Sequence, residues 1–157
     1  MLPIFSPAPR GYTNPVILRV SAALPGAGAW DAAPVESSSA FAARMTLAFT
    51  YTRGAAGGAF DWQLEVSPYA VAANVPAGAS EWITEAIYAG GAVVAGADTQ
   101  SRVQREYQTY ASTGAGAEDF VYGPIDLHSM IERVRVRARE SGVVGTPGTL
   151  QITAEIV

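Results

Sequence analysis

The feature that most constrains this chain is the strict alternation of bulky apolar side chains between Arg44 and Pro68. Successive side chains of a strand point to opposite faces, so an alternating run predicts a strand with one apolar face. A glycine-rich break at 53–58 divides the stretch into two such runs, which predict a β-hairpin. In this hairpin Tyr51 faces Phe60 and Phe49 faces Trp62. The apolar members are Met45, Leu47, Phe49 and Tyr51, followed by Phe60, Trp62, Leu64 and Val66.

The same alternation recurs near both ends of the chain. Residues 16–22 predict the first strand, and residues 102–110 predict another. Near the end, 133–139 and 150–156 predict a second hairpin, in which Val136 opposes Ile152 and Arg133 opposes Glu155. Between these runs we expect a loop at 24–39 that holds one short strand, strands at 81–88 and 93–94, a strand stub at 120–122, and loops at 69–80 and 112–119. A single helical turn is expected at 124–130.

These elements amount to seven to nine short strands without a long helix. Many short strands separated by turn signals are typical of an all-β sandwich, and a jelly roll is the first topology to expect. At 157 residues the chain is long enough for one domain with a substantial core. We therefore predict a single β-sandwich domain over residues 16–157.

Residues 1–15 have a different character. Pro3, Pro7, Pro9 and Pro15 remove backbone donors, so this segment is expected to be an extended arm and not a ladder strand. Its apolar residues Leu2, Ile4 and Phe5 would gain nothing in water. An arm that lies on a neighbouring subunit and a frayed terminus are both compatible with this composition.

Composition restricts the classes of function. Charged residues make up 15% of the chain, against about 25% in typical domains. This predicts either a surface that is partly covered by a partner or one made of small neutral side chains. The net charge is −4 and the chain has no basic arm, which argues against genome packaging or general DNA binding. The absence of Cys excludes disulfides and thiolate metal sites. We find neither a signal peptide nor an apolar run of the ~18 residues that a membrane helix needs.

Catalytic patterns are nearly absent. His128 is the single histidine, and although Asp126 and Glu132 lie close to it in sequence, a zinc site normally needs three or four N or S ligands. No serine lies in a G-x-S-x-G motif. The adjacent acids Glu118 and Asp119 are expected in a solvated turn. We predict no catalytic, cofactor-binding or metal-binding residue, and a hydrolase that uses His128 is a minor alternative.

Two groups of side chains could bind a partner. Arg133, Arg135, Arg137 and Arg139 lie at every second position, which places them on one face about 6.6 Å apart. They could contact an acidic surface or a phosphate polymer, or form a solvated face that Glu and Gln on neighbouring strands balance. Trp30 and Trp82 could stack on sugars or anchor loops, whereas Trp62 is expected in the core. The candidate interface residues are Leu2, Ile4, Phe5, Arg10, Tyr12, Tyr69, Arg133, Arg135 and Arg137, with the loops 69–80 and 112–119 as further contacts.

Several stretches together resemble the small β-sandwich proteins found in virions of tailed bacteriophages. They are RMTLAFTYTRGAAGGAFDWQLEVSP, then Trp82, YGPIDL at 122–127 and VRVRARESGVVGTPGTLQITAEIV, so that the resemblance covers residues 40–157. The longer loop at 69–80 departs from the tight turn that is frequent in that group.

The resemblance implies a non-enzymatic structural protein on the surface of the phage head, most simply a capsid decoration (cement) protein. Its implied partner is the major capsid protein, and its implied state a homotrimer or another homo-oligomer. A minor head or tail component, or a module that binds carbohydrate or a host receptor, is the alternative. No cofactor, nucleic-acid or membrane partner is expected.

Overall fold

The structure, a computed structural model, describes residues 15–26, 29–54, 59–82, 88–89, 92–93, 107–111, 116–127, 130–140 and 145–157. Within these ranges the chain forms ten strands and one 3-10 helix at Ala72–Asn74. The proposed arm at 1–14 lies outside them. The strands are β1 (Val16–Ala23), β2 (Glu36–Ser38), β3 (Arg44–Thr52), β4 (Ala59–Ser67), β5 (Tyr88–Ala89), β6 (Ala92–Val93), β7 (Tyr107–Ala111), β8 (Ala117–Asp126), β9 (Arg133–Glu140) and β10 (Thr149–Ile156).

Eight of these strands form two four-stranded antiparallel sheets, which confirms the predicted all-β sandwich. The first sheet has the order β1-β10-β3-β8, and the second has the order β2-β9-β4-β7. Strands β5 and β6 form a separate two-stranded pair. Each of β1 to β4 pairs with a strand from the second half of the chain, so that both sheets depend on distant parts of the sequence.

Both predicted hairpins are wrong, although the strands themselves are present. β3 lies in the first sheet and β4 in the second, and the same separation holds for β10 and β9. The partners predicted for β3 nevertheless meet, because the apolar faces of the two sheets pack on each other. The ring centroids of Phe49 and Trp62 lie 5.1 Å apart, and those of Tyr51 and Phe60 lie 4.7 Å apart.

The core is built from the alternating positions that the sequence indicates. All the bulky apolar residues of β3 and β4 are buried, and those of β9 and β10 complete the filling between the sheets. Trp62 is confirmed as a core residue. The largest apolar side chains of the core are those of Trp62, Tyr51, Phe49, Phe60, Leu18, Met45, Leu47, Leu64, Leu150 and Ile152.

The last strand of the first sheet corrects two predictions. β8 runs from Ala117 to Asp126, through part of the expected loop at 112–119 and part of the expected helical turn at 124–130. Gly123 has φ +132°, and a Cβ there would lie 3.0 Å from the carbonyl oxygen of Met45, beside a β-bulge. Because β8 is an edge strand, Pro124 can lack a ladder donor without breaking the sheet.

Other boundaries also differ from expectation. Glu81 and Trp82 lie in a bend and not in a strand, while residues 83–87 of the predicted strand lie outside the described residues. β7 begins at Tyr107, and the first part of the predicted strand 102–110 lies outside the described residues.

A buried ion pair joins the two sheets. Arg19 sits between two irregularities in the pairing of β1, where its guanidinium donates to both carboxylate oxygens of Asp31, at 3.0 and 3.3 Å. It also donates to four backbone carbonyls, those of Val20, Ala22, Ala23 and Leu150. Asp31 in turn accepts the backbone N–H of Ala138 in β9 at 3.1 Å. The pair therefore satisfies carbonyls left free by the bulge and links the first sheet to the second.

A second buried polar cluster lies close to this pair, where the N–H of Leu24, directly after β1, donates to the carbonyl of Gly148. Glu140 is fully buried, accepts the N–H of Gly148 at 3.1 Å and lies 3.4 Å from the Tyr51 hydroxyl, which donates to it. Burial, and next the carboxylate of Glu140, raises the pKa of Tyr51 to about 12. The Tyr51 ring lies so close to Gly148 that a Cβ there would be 2.5 Å from it. Glycine is thus required at this corner by lack of space.

Candidate interaction surfaces

The arginine row lies on the outer face of the second sheet, where acids of the same chain neutralise it. Asp61, Gln63 and Glu65 of β4 stand directly opposite Arg139, Arg137 and Arg135 of β9. Arg139 contacts Asp61 at 3.0 Å, and Arg135 and Arg137 share Glu65 at 2.5 and 3.4 Å. Asp61 and Glu65 are buried by their neighbours. Residues of the neighbouring strand therefore balance these arginines, but the arginine side chains are largely buried and do not form the solvated face expected in that alternative.

Arg133 pairs with acids outside β4, because the residue opposite it in β4 is Ser67. It contacts Glu36 of β2 and Glu81 of the following loop, both at 2.6 Å. Burial opposes the charged form of Arg133, but Glu81 and Glu36 outweigh it and raise the pKa of the guanidinium. Its Nε also donates to the carbonyl oxygen of Tyr69 at 2.7 Å. The half-buried Tyr69 is thereby fixed to the sheet through its backbone.

The two loop tryptophans stack on the same arginines. Arg135 lies 4.0 Å from the Trp82 ring centroid and Arg133 lies 5.0 Å from it, while Arg139 lies 4.4 Å from that of Trp30. Such cation–π contacts contribute about 0.5–2 kcal/mol each. They make Trp30 and Trp82 loop anchors, and the ring faces that carry arginine are not open to a sugar.

The outer face of the first sheet has the opposite character. One row across its four strands consists of Ile17, Thr153, Ala48 and Val121, which are in register. Val121 and Ile17 are exposed. The row carries no charge, in contrast to the ion-paired face of the second sheet.

The most unusual exposed residue is Phe41, in the turn that joins β2 to β3. Its ring is fully exposed (104%), and its backbone has φ +66°. The N–H of Ala42 donates to the carbonyl of Ser39 at 2.9 Å, so Phe41 is the third residue of a four-residue turn, a position that favours Gly or Asn. A left-handed conformation costs a non-glycine residue roughly 1–2 kcal/mol. An aromatic ring is thus held in water on a strained backbone.

Two further apolar side chains lie at the same end of the sandwich. Val157 is 58% exposed, and its carbonyl accepts the N–H groups of Ala43 and Arg44. Met130 is 74% exposed and precedes Ile131, whose carbonyl accepts the Ser39 hydroxyl. We call Phe41, Met130 and Val157 the Phe41 patch. Exposed aromatic and aliphatic groups that cluster in this way are typical of contact surfaces.

Sequence reasoning did not identify the Phe41 patch. The signal was present in Ser39-Ala-Phe-Ala-Ala43, where a lone aromatic residue interrupts a run of small residues before the alternation starts. Of the predicted interface residues, Leu2, Ile4, Phe5, Arg10 and Tyr12 lie outside the described residues, as does His128. Tyr69 and the arginines lie together on the second sheet, with Arg133 in register with Ser38 of β2, and their role in an interface stays a prediction.

Searches for other kinds of site add little. Among the residues that the structure describes, no group of three or more His, Cys, Asp or Glu side chains is placed to hold a metal ion. No helix in the described ranges is long and apolar enough to cross a membrane. No family model matches the chain, and no curated protein or solved structure is similar enough to count as a match.

Proposed function

We propose that this protein is a non-enzymatic virion structural protein of a tailed bacteriophage, a decoration protein that binds the major capsid protein and reinforces the head. The observation that carries the proposal is the Phe41 patch. A protein does not gain stability from an exposed aromatic ring on a strained turn, so this arrangement is best explained by contact with a partner. The interaction surface of the proposal is therefore the Phe41 end of the sandwich.

The strand order supports the same proposal at the level of topology. The four nested antiparallel pairs β1·β10, β2·β9, β3·β8 and β4·β7 are those of a ribbon folded over into a jelly roll. We propose that topology for the sandwich. Its two ends and two outer faces are separate surfaces, so one can bind a shell while others face solvent or further copies. A homotrimer on the shell is part of the proposal.

The first test is cryo-electron microscopy of intact particles of the virus that encodes the chain. We expect ordered density for the sandwich at a regular copy number on the head, with the Phe41 end against the shell. A chain that is missing from the particles, or present only in the tail, would contradict the decoration role.

The second test measures binding of purified variants to heads assembled without this protein. Burial of one Phe side chain contributes about 1.5–3 kcal/mol, so Phe41→Gly is expected to weaken binding about 10- to 100-fold. Glycine also relieves the left-handed backbone, so the variant should be as stable as the parent or slightly more so. Val121→Ser is the matched control, because Val121 is also exposed but lies on the outer face of the first sheet, opposite Ala48 of β3. Equal binding by Phe41→Gly and the parent would exclude the Phe41 patch.

A further inference from the structure

In the part of the chain that the structure describes, no further strand covers one side of the sandwich. β1 is the edge of the first sheet and β2 the edge of the second, and each is paired on one side only, with β10 and β9 respectively. The two edges approach each other on the same side of the molecule. We call this side the β1–β2 seam. The Arg19–Asp31 ion pair lies in its wall.

Two cavities lie along the seam, one after the other. The first, of about 470 Å³, is at the Phe41 end, between Val16 of β1, Ser37–Ala42 and the end of β10. The second, of about 270 Å³, lies between the later part of β1 and residues 33–35. Val20 and Val35 are both largely exposed beside the second cavity. The seam is thus a groove with apolar rims and, on its two edge strands, backbone groups outside the ladders.

We propose that the β1–β2 seam binds the N-terminal segment, residues 1–14, of a second copy of this chain. Fourteen extended residues reach about 43–46 Å, whereas the eight residues of β1 span roughly 26 Å. The segment can therefore cross from one molecule to another and still fill the groove. Leu2, Ile4 and Phe5 supply apolar side chains for its cavities.

The chemistry of the segment fits a groove better than a sheet ladder. Its prolines favour an extended backbone without donors at those positions, a form that grooves recognise through side-chain pockets. The segment contains Arg10 and no acid. Glu36 of the edge strand β2 is paired with Arg133, but its side chain remains 40% exposed. Residue 14 is joined through Pro15 to Val16, which itself lines the seam. To enter the groove of its own molecule, the segment would have to reverse direction immediately before Val16. The segment of a neighbouring molecule needs no such reversal.

The absence of cysteine from the chain permits a clean cross-linking test. Full-length Phe5→Cys and Ser37→Cys variants are made separately, mixed in solution and treated with a short bismaleimide. We expect the mixed dimer to form at least tenfold faster than that of Phe5→Cys with Thr50→Cys, which places the thiol on the outer face of the first sheet. Val35→Cys replaces Ser37→Cys if the latter does not fold.

The outcomes separate the possible occupants. Equal rates with Ser37→Cys and Thr50→Cys would overturn the proposal. A double Phe5→Cys, Ser37→Cys chain that cross-links only within itself would also overturn it, because the segment would then occupy its own seam. The test needs no phage shell, so its result is independent of the proposed decoration role.

Discussion

Removal of the Asp31 carboxylate should destabilise the fold far more than removal of a surface acid. Its side chain and that of Arg19 are 16% and 9% exposed, and the carboxylate accepts from Arg19 and from the N–H of Ala138. Loss of one partner of a buried pair leaves an uncompensated charge and typically costs about 3–5 kcal/mol. Since domains of this size are stable by about 5–15 kcal/mol, Asp31→Ala should lose a large part of that stability.

The chain provides a matched control for this measurement. Arg44 and Asp126 also form an ion pair, at 3.3 Å, but their side chains are 64% and 79% exposed. Such pairs contribute about 0–1 kcal/mol, so Asp126→Ala should change the free energy of unfolding little. Urea unfolding at pH 7 measures both variants. Asp31→Asn, which keeps the shape and one acceptor, should cost about 1–3 kcal/mol and covers the case in which Asp31→Ala does not fold.

Equal losses for Asp31→Ala and Asp126→Ala would refute this reasoning. The two sheets would then not depend on the bridge, and Arg19 would be sufficiently solvated by the carbonyls around it.

Two further predictions concern the Glu140 corner. Because the pKa of Tyr51 is raised from the ordinary 10 to about 12, its neutral form contributes stability on the order of 3 kcal/mol, which is present below pH 10 and lost as the pH rises through 12. The chain has no Lys or Cys, so tyrosines dominate the titration between pH 10 and 12. Tyr51→Phe should therefore reduce the loss of unfolding free energy, measured with urea, over this pH range. An unchanged dependence on pH would contradict the raised pKa of Tyr51. Gly148→Ala should cost about 1–3 kcal/mol by overpacking against the Tyr51 ring, whereas Gly145→Ala, with open space around it, should stay within about 0.5 kcal/mol in thermal unfolding. Equal losses of stability for Gly148→Ala and Gly145→Ala would show that the Tyr51 ring can move to accommodate a methyl group at position 148.

The sequence predicted which residues form strands better than it predicted which strands pair. Alternation determines the face on which Phe49 or Trp62 lies, and both are buried as expected. It does not determine the partner, since an apolar face is satisfied equally by a neighbour in the same sheet or by the opposing sheet. The six-residue break at 53–58 is long enough to connect two strands of one sheet or two strands of opposing sheets. The predicted contacts therefore exist, but across the core and not along a ladder.

The surfaces were harder to predict than the core. The arginine row was visible from spacing alone, but its partner Glu81 is distant in sequence and Asp61 and Glu65 could be assigned only once β4 and β9 were known to pair. Phe41 follows no period, and its importance depends on a backbone angle and on exposure. Such features arise from the assembled fold, so a pattern of residue types does not reveal them.

The nested pairing also determines when the protein can fold. β10 lies between β1 and β3, so the first sheet has no continuous centre until the ribosome has made residues 149–156. Until then β1 and β3 have no common partner, and their apolar faces are exposed on a growing chain. Topologies dominated by such distant contacts fold slowly. The first sheet should therefore form cooperatively, and only after β10 has been synthesised. Shortening β10 by a few residues should also release β1, because β10 is the strand with which β1 pairs.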